Sequence, residues 1–287
     1  MNVRTGSYVP DLLYKFRGSW DDQNNKDVLI NNSLFFSSIK NFNDPFDSQA
    51  PFVLDKATPE ERIESFKQTF EKSPYVLKKN SRELAIQSEN DVNFKQNLLN
   101  DLLIRIDKDI SENVGICCFA SDENNCCLKN NLLWSHYANS HKGFCVVYKA
   151  EAMIQYLNER NDIIGWDNEN GYHGYSDILE VDYKPECPEL DVVSPDKKKE
   201  INKRLSTKSS EWKYEGEYRA IFIDKTNFAE YLPNDLIKKI VLGCRMPEAH
   251  KNEIIPVVLN KQKEIEIEEI FIDVVKYGYE LQTRRIY

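Results

Sequence analysis

Two short stretches hold most of the side chains that could do chemistry. One is Trp134-Ser-His-Tyr-Ala-Asn-Ser-His-Lys-Gly-Phe-Cys-Val-Val-Tyr148, which contains two of the four histidines. The other is Trp212-Lys-Tyr-Glu-Gly-Glu-Tyr-Arg-Ala-Ile-Phe222. Read as one strand, Glu215 and Glu217 share a face, with Gly216 opposite and Arg219 next along the carboxylate side. Carboxylates so close raise the pKa of one of the pair, while the guanidinium keeps the other ionised. One would then suit hydrogen-bond or base work, and the other would stabilise developing positive charge. A solvated Glu–Arg ladder on an exposed face fits the same spacing. Trp212, Tyr214 and Tyr218 crowd the surroundings.

In the first stretch a short helix over 132–138 would place Trp134, Ser135, His136 and Tyr137 where the chain turns into a strand. Ends of elements at a sheet edge are where functional groups gather. His136 or His141 could act as a base or bind phosphate, and either reads equally as a satisfied structural residue. Lys142-Gly143 could hold an anion through charge and open amides. No nucleophile elbow is present, and Cys145 lies inside an apolar strand where a thiol is inert. His173 and His250 have no neighbours that recommend them.

The elements that must position these groups follow from periodicity. Leu12-Leu-Tyr-Lys-Phe-Arg17 alternates as a strand, placing Tyr14 and Phe16 on one face and Lys15 and Arg17 on the other. A short helix over 27–32 ends at Asn31-Asn32, and Ser33 to Ser38 gives a second strand. Asn43-Asp-Pro-Phe-Asp47 is an Asx-Pro turn, either a site loop or a structural corner. Thr58-Pro-Glu-Glu starts a helix. Apolar residues at helical intervals from Leu84 to Ile110 extend this into two or three helices, an insertion over about 57–113.

Val114 to Phe119 is a buried strand, and the near-continuously apolar Gly143 to Tyr148 is a central one. A helix over 149–159 and a glycine-, asparagine- and aromatic-rich loop over 160–175 follow. Strands are expected over 177–183, 217–223 and 237–242, and a basic helix from Ser194 to Leu205. A helix from Pro247 should end near Pro256. Glu264-Ile-Glu-Ile-Glu268 alternates strictly, so one face of that strand is expected to be solvated. One or two last strands fill 274–287. The sum is an α+β fold: a single domain over 1–287 with a mixed, largely antiparallel sheet of about eight strands and a helical insertion.

The chain has 287 residues and a net charge of −9. A polyanion is repelled by that average field, so direct nucleic-acid binding is disfavoured; the basic clusters Lys197–Lys199 with Lys203 and Arg204, and Arg284-Arg285, read as solvated faces. No apolar run approaches the roughly 20 residues that cross a bilayer. No signal peptide is evident, so a cytoplasmic protein with reduced thiols is expected. Cys117-Cys118 and Cys126-Cys127, with His136 and His141 downstream, suggest a metal site. Adjacent strand residues point to opposite faces, however, and the doublets lack the usual zinc spacing. Neither a Rossmann nor a P-loop nucleotide motif is present.

Four landmarks in order, Leu13-Tyr-Lys-Phe-Arg17, Phe42-Asn-Asp-Pro-Phe-Asp47, Cys118-Phe-Ala-Ser121 to Trp134-Ser-His-Tyr-Ala…His141-Lys-Gly-Phe, and Trp212…Glu215-Gly-Glu-Tyr-Arg219, resemble the bacterial domain-of-unknown-function family numbered 2971. The resemblance spans roughly residues 12–245. It implies no established activity; its members look like frequent companions of mobile and defence-associated genes. A basic residue on the first strand, a Ser/His/Tyr cluster and a late Glu-x-Glu also resemble the ADP-ribosyltransferase arrangement. That likeness implies Glu217 as the catalytic glutamate, which would stabilise an oxocarbenium-like transition state, and Glu215 as the acceptor-orienting one. Arg17 would bind the phosphate of NAD, and Ser135 or Tyr137 would support the nicotinamide pocket. Lys15, Trp134, His136, His141 and Arg219 complete the implied substrate-binding set. Ser135 departs from the pattern, lying in a helix where the transferases have a strand.

The expected function on this basis is an NAD-consuming effector of a defence or toxin system, with NAD as substrate and no cofactor firmly implied. It would transfer ADP-ribose to a macromolecular acceptor or to water. Two alternatives stand beside it. One is a non-enzymatic sensor or binding module whose pocket is built by the same two stretches and whose helical insertion docks a partner protein. The other is a metal-dependent phosphoesterase.

Overall fold

The computed structural model describes residues 10–72, 77–121, 127–159, 166–167, 171–172, 174–175, 178–194, 196–262, 264–273 and 280–287. The chain divides into two compact units. The first comprises residues 1–41, 113–181 and 211–287, and the second residues 42–112 and 182–210.

The first unit is built on a nine-stranded sheet. Its spatial order is Leu281–Arg285, Glu266–Ile272, Ile237–Leu242, Phe144–Lys149, Leu12–Arg17, Val114–Ser121, Glu217–Ile223 and Gly174–Tyr175, with Leu179–Glu180 also paired to Glu217–Ile223. Neighbours are antiparallel except Ile237–Leu242 and Glu266–Ile272, which run parallel. The helix Glu248–Lys261 lies between those two in sequence, since a parallel return needs a crossover too long for a hairpin. The fold class is therefore the expected α+β one.

Each face of this sheet carries its own apolar layer. Leu13, Phe119, Phe144, Val146, Tyr148, Tyr218 and Ala220 pack on one side with Val28, Met153, Leu157, Ile254 and Val258 from three helices. Tyr14, Phe16, Ala120, Cys145, Val147 and Val241 pack on the other with Leu133, Trp134 and Ala138. Being covered on both faces is why Phe144 to Tyr148 reads as a continuous apolar run, every residue of it 0% exposed. The first strand alternates as its sequence requires, sending Tyr14 and Phe16 to one layer and Leu13, Lys15 and Arg17 to the other.

Three expectations for this unit need correction. The helix from Glu248 does not stop near Pro256 but continues through it to Lys261. Pro256 is exposed, so the carbonyl left unpaired one turn earlier, on exposed Asn252, can bond to water while Ile254 and Val258 hold the helix to the core. The charged side of Glu266–Ile272 is solvated only in part: Glu264 just before it is exposed and Glu266 half-buried, but the burial deepens along the strand. Glu268 and Glu269 are buried, Glu268 paired with Lys239 at 2.9 Å and Glu269 with Lys251 at 3.1 Å and with Arg284. Arg284 pairs with Glu269 while its own side chain stays exposed, so the Arg284-Arg285 pair lies on a solvated face as expected. Finally, the strand expected over 177–183 is broken at Val181 into Leu179–Glu180 and Asp182–Lys184, which pair with different strands. The expected strands over 274–287 resolve to Leu281–Arg285, while 274–279 lie outside the described residues.

The second unit contains the helices Pro59–Lys72, Ser81–Asn90, Val92–Asn113 (to Glu112) and Lys197–Leu205. Thr58 opens the first with a capping box: Glu61 N donates to Thr58 Oγ1 at 3.3 Å, and Thr58 N donates to Glu61 Oε2 at 2.8 Å. The Asn43-Asp-Pro-Phe-Asp47 turn is locked by its own aspartates. Asp44 accepts from Phe46 N at 2.9 Å, and buried Asp47 faces buried Lys208 at 3.7 Å. Arg204, expected on a solvated basic face, is instead 1% exposed; its Nε donates to Ser48 O at 2.8 Å and its Nη2 pairs with Asp107. Among the described residues no helix is long and apolar enough to cross a membrane.

Candidate functional site

Asn130 fixes the helix Asn131–Tyr137. Its side-chain oxygen accepts from Leu132 N at 3.0 Å and Leu133 N at 3.4 Å, satisfying amides that a helix start leaves free. Its Nδ2 donates to Tyr214 O at 2.9 Å, so one residue ties the two chemistry-bearing stretches together. Trp134 anchors the helix to the sheet, fully buried, with its indole N–H on Leu128 O at 2.9 Å. Phe16 stands edge-on to it at 5.1 Å.

After Ala138 the backbone does something costly. Asn139, Ser140 and His141 all take positive φ, at 47°, 53° and 69°. Left-handed backbone costs an ordinary L-residue roughly 1–2 kcal/mol. The turn folds His141 back over Trp134, with 14° between the rings, and sets its Nε2 3.3 Å from Ser135 Oγ. The amides of the turn are spent internally: Lys142 N donates to Asn139 O and Gly143 N to Ala138 O at 2.9 Å. Lys142-Gly143 therefore offers no open amides, and the anion cradle read from this dipeptide is not built.

His141 Nδ1 is buried without a hydrogen-bond partner, and burial, followed by the charge of Arg245, lowers the pKa of the ring. The unfolded chain therefore takes up this proton more readily than the folded one. Stability should be full above about pH 6.5, the ordinary histidine value, and should fall as pH drops through and below it. Denaturation midpoints measured between pH 7.5 and 5.5 should show this decline in the wild type and a flatter profile in His141→Phe. Equal slopes in the two would contradict it.

The second stretch differs from its strand reading. Glu215 closes a 3₁₀ turn, Ser210–Glu215; Gly216 bends the chain at φ 50°, and the strand begins only at Glu217. The two carboxylates are thus not successive same-face residues of one strand. Glu215 is buried and accepts a hydrogen bond from the Tyr137 hydroxyl. Glu217 is buried too and receives Arg219 in a fork, Nε at 2.8 Å and Nη2 at 3.2 Å, with Arg219 at 0% exposure. This is no solvated ladder. Arg219 lies across the ladder from Cys118. Burial, then the charge of Glu217, pushes the Cys118 thiol well above its usual range, which leaves it protonated.

Above this layer three rings meet. His136 and Trp212 have centroids 6.3 Å apart, His136 and Tyr214 6.3 Å, and Trp212 and Tyr214 6.0 Å. His136 is exposed, while Trp212 and Tyr214 are half-buried, so the cluster faces solvent on a rigid base. Trp212 and Tyr214, which the sequence marked only as crowding, are walls of the candidate site.

The structure gathers Trp134, Ser135, His136, Tyr137, His141, Glu215, Glu217 and Arg219 on one side of the sheet. It does not bring Lys15 and Arg17 there. In the ladder Tyr14 and Ala120 share a row with Glu217, and the next row holds Arg219 and Cys118. Lys15 and Arg17 project from the opposite face, beside Phe119 and Tyr148. The single cleft implied by the ADP-ribosyltransferase likeness is thus divided by the sheet. His250 pairs with Asp21 at 3.2 Å, and His173 lies outside the described residues. Cys117 belongs to one apolar layer while Cys118 faces the other, and Cys126 lies outside the described residues. Among the described residues no three His, Cys, Asp or Glu side chains are grouped to hold a metal.

No curated protein and no solved structure matched the chain. A family model does match, over residues 133–220, a span that begins at the Trp134 helix and ends just past the Glu217–Arg219 fork. Most of the segment that builds this site thus matches the family model described as "Protein of unknown function (DUF2971)".

Proposed function

We propose that this chain is a recognition module that binds an organic cation, of the methylated-ammonium kind, on the rings of His136, Trp212 and Tyr214. The observation that carries the reading is the three-ring cluster itself, open to solvent and held from below by the Tyr137–Glu215 hydrogen bond and the Asn130–Tyr214 tie. Indole and phenol faces, here Trp212 and Tyr214, attract cations by about 0.5–2 kcal/mol per ring, most strongly for tryptophan. The net charge of −9 draws the same class of ligand toward the protein. The buried carboxylates favour binding over turnover. Glu217 is occupied by Arg219, and a base or nucleophile stabiliser must reach its substrate. A sensor of this kind suits the defence setting that the family resemblance implies.

Tryptophan fluorescence, titrated with choline, a trimethyllysine peptide and NAD, tests this. A saturable change is expected with one of the two cations. Trp212→Ala should weaken that binding at least about tenfold, the loss of roughly 1.4 kcal/mol, and Trp212→Phe should retain part of it. Absence of saturable binding, or unchanged affinity in Trp212→Ala, would overturn the reading. Nicotinamide released from NAD by the wild type and not by Glu217→Gln would overturn it in favour of an NAD-consuming transferase.

A further inference from the structure

We infer that the cation bound by the ring cluster is carried on a peptide, as a methylated lysine in an extended segment with an apolar residue two positions away. This rests on the reading of His136, Trp212 and Tyr214 as a cation site, and it names the ligand's carrier. The observation that points to it is Leu132. Its side chain is 45% exposed, although Leu133 and Trp134 beside it are buried and already anchor the helix. Leu132 and His136 stand four positions apart on the helix Asn131–Tyr137, so they share one face about 6 Å apart along the axis. The Asn130 tie to Tyr214 O lies at the same end of the helix as Leu132. A single exposed leucine is ordinary on a protein surface. One that adjoins a solvent-facing ring cluster extends it into an apolar strip.

An open face suits a peptide better than a free small cation. Sites for small ligands enclose most of the ligand's surface. Here the cluster faces solvent, and the indole and phenol faces together give a free cation about millimolar affinity at best. A peptide adds contacts along its length. In an extended chain, side chains two apart project from the same side, roughly 6.5 Å from each other. That spacing matches the one-turn step from His136 to Leu132. With the methylated ammonium on the rings, the side chain two positions away therefore reaches Leu132. Charge favours the same occupant. The chain carries −9 overall, and the ring-bearing turn holds Glu211 and Glu215 against Lys213. A methylated lysine keeps its positive charge, so a basic segment complements this surface.

The experiment titrates the full chain, by isothermal calorimetry, with choline, with phosphatidylcholine vesicles and with two short peptides. Both peptides carry a central trimethyllysine, and they differ in having Leu or Ser at the positions two away on either side. The Leu peptide is expected to bind at least about tenfold tighter than choline and about fivefold tighter than the Ser peptide. Leu132→Ser should bring the ratio between the two peptides close to one, and Leu132→Met should keep most of it. A ratio of one in the wild type, or one that Leu132→Ser leaves unchanged, would overturn the inference while the cation site stands. So would choline binding as tightly as the Leu peptide, or vesicles binding in preference to it, which would make the ligand a lipid headgroup. If neither choline nor either peptide binds, the cation site itself falls, and this inference with it.

Discussion

Gly143→Ala is expected to destabilise the first unit by about 3 kcal/mol or more, the upper end of what overpacking costs. A Cβ at this position would stand 1.9 Å from Arg17 O and 2.5 Å from Gly18 O. Both are backbone atoms, at the end of the neighbouring central strand and just past it, so no side chain can swing aside. Either the strand Phe144–Lys149 separates from Leu12–Arg17 at this end, or the left-handed turn over 139–141 is rebuilt. The matching clash at Gly243, 2.2 Å from His141 O, shows that two glycines let three segments approach at one point. Urea denaturation followed by circular dichroism measures the effect. Gly18→Ala is the control, since its nearest contact is the Asn25 side-chain amide at 3.3 Å, which can move. Equal midpoints for the 143 and 18 variants would contradict the packing described.

The second large effect is expected at the buried fork. Arg219→Leu leaves Glu217 buried and without its guanidinium, and breaking a buried pair in this way costs about 3–5 kcal/mol. Removing both charges together is much milder, because no unpaired ion remains; the double variant Glu217→Leu with Arg219→Leu should recover a large part of the loss. Chemical denaturation of the single and double variants closes the cycle. A single variant within 1 kcal/mol of wild type, a margin typical of an exposed pair, would show that the fork is solvated. The same result bears on function. Any loss of activity in a Glu217 variant must be read against its stability before it is called catalytic.

Much of the architecture was legible because its signals are local. Alternation in Leu12–Arg17, the apolar run of Phe144 to Tyr148 and the Thr58–Glu61 capping box each report a period or a cap that the backbone must obey. The errors arose where long-range contacts decide. Pro256 reads as a helix end, but its exposed face lets the helix continue. Glu264, Glu266 and Glu268 alternate like a solvated strand, yet Lys239 arrives from another element to cover Glu268, and Lys251 and Arg284 do the same for Glu269 on the other face. Arg204 looks like one more charge in a basic helix, and only the fold reveals that Ser48 and Asp107 bury it.

The candidate site shows the same division. Its two stretches were visible from residue type, and they do meet. What periodicity could not supply was the break at Gly216, which takes Glu215 out of the strand, or the consecutive left-handed residues 139–141, which no glycine announces. The separation of Arg17 from Glu217 was available in principle. Lys15 and Arg17 were already placed opposite Tyr14 and Phe16; the ladder register, which sets Tyr14 in the row of Glu217, was the missing piece.

The most direct test of the recognition reading is the indole N–H spectrum of the ¹⁵N-labelled protein during titration with the cation that binds in the fluorescence assay. The protein has four tryptophans, so each indole can be assigned by single substitution. Trp212 is predicted to shift progressively to saturation, while Trp134, whose N–H is held by Leu128 O beneath the site, stays in place. Saturating shifts at other indoles with Trp212 unmoved would contradict the account.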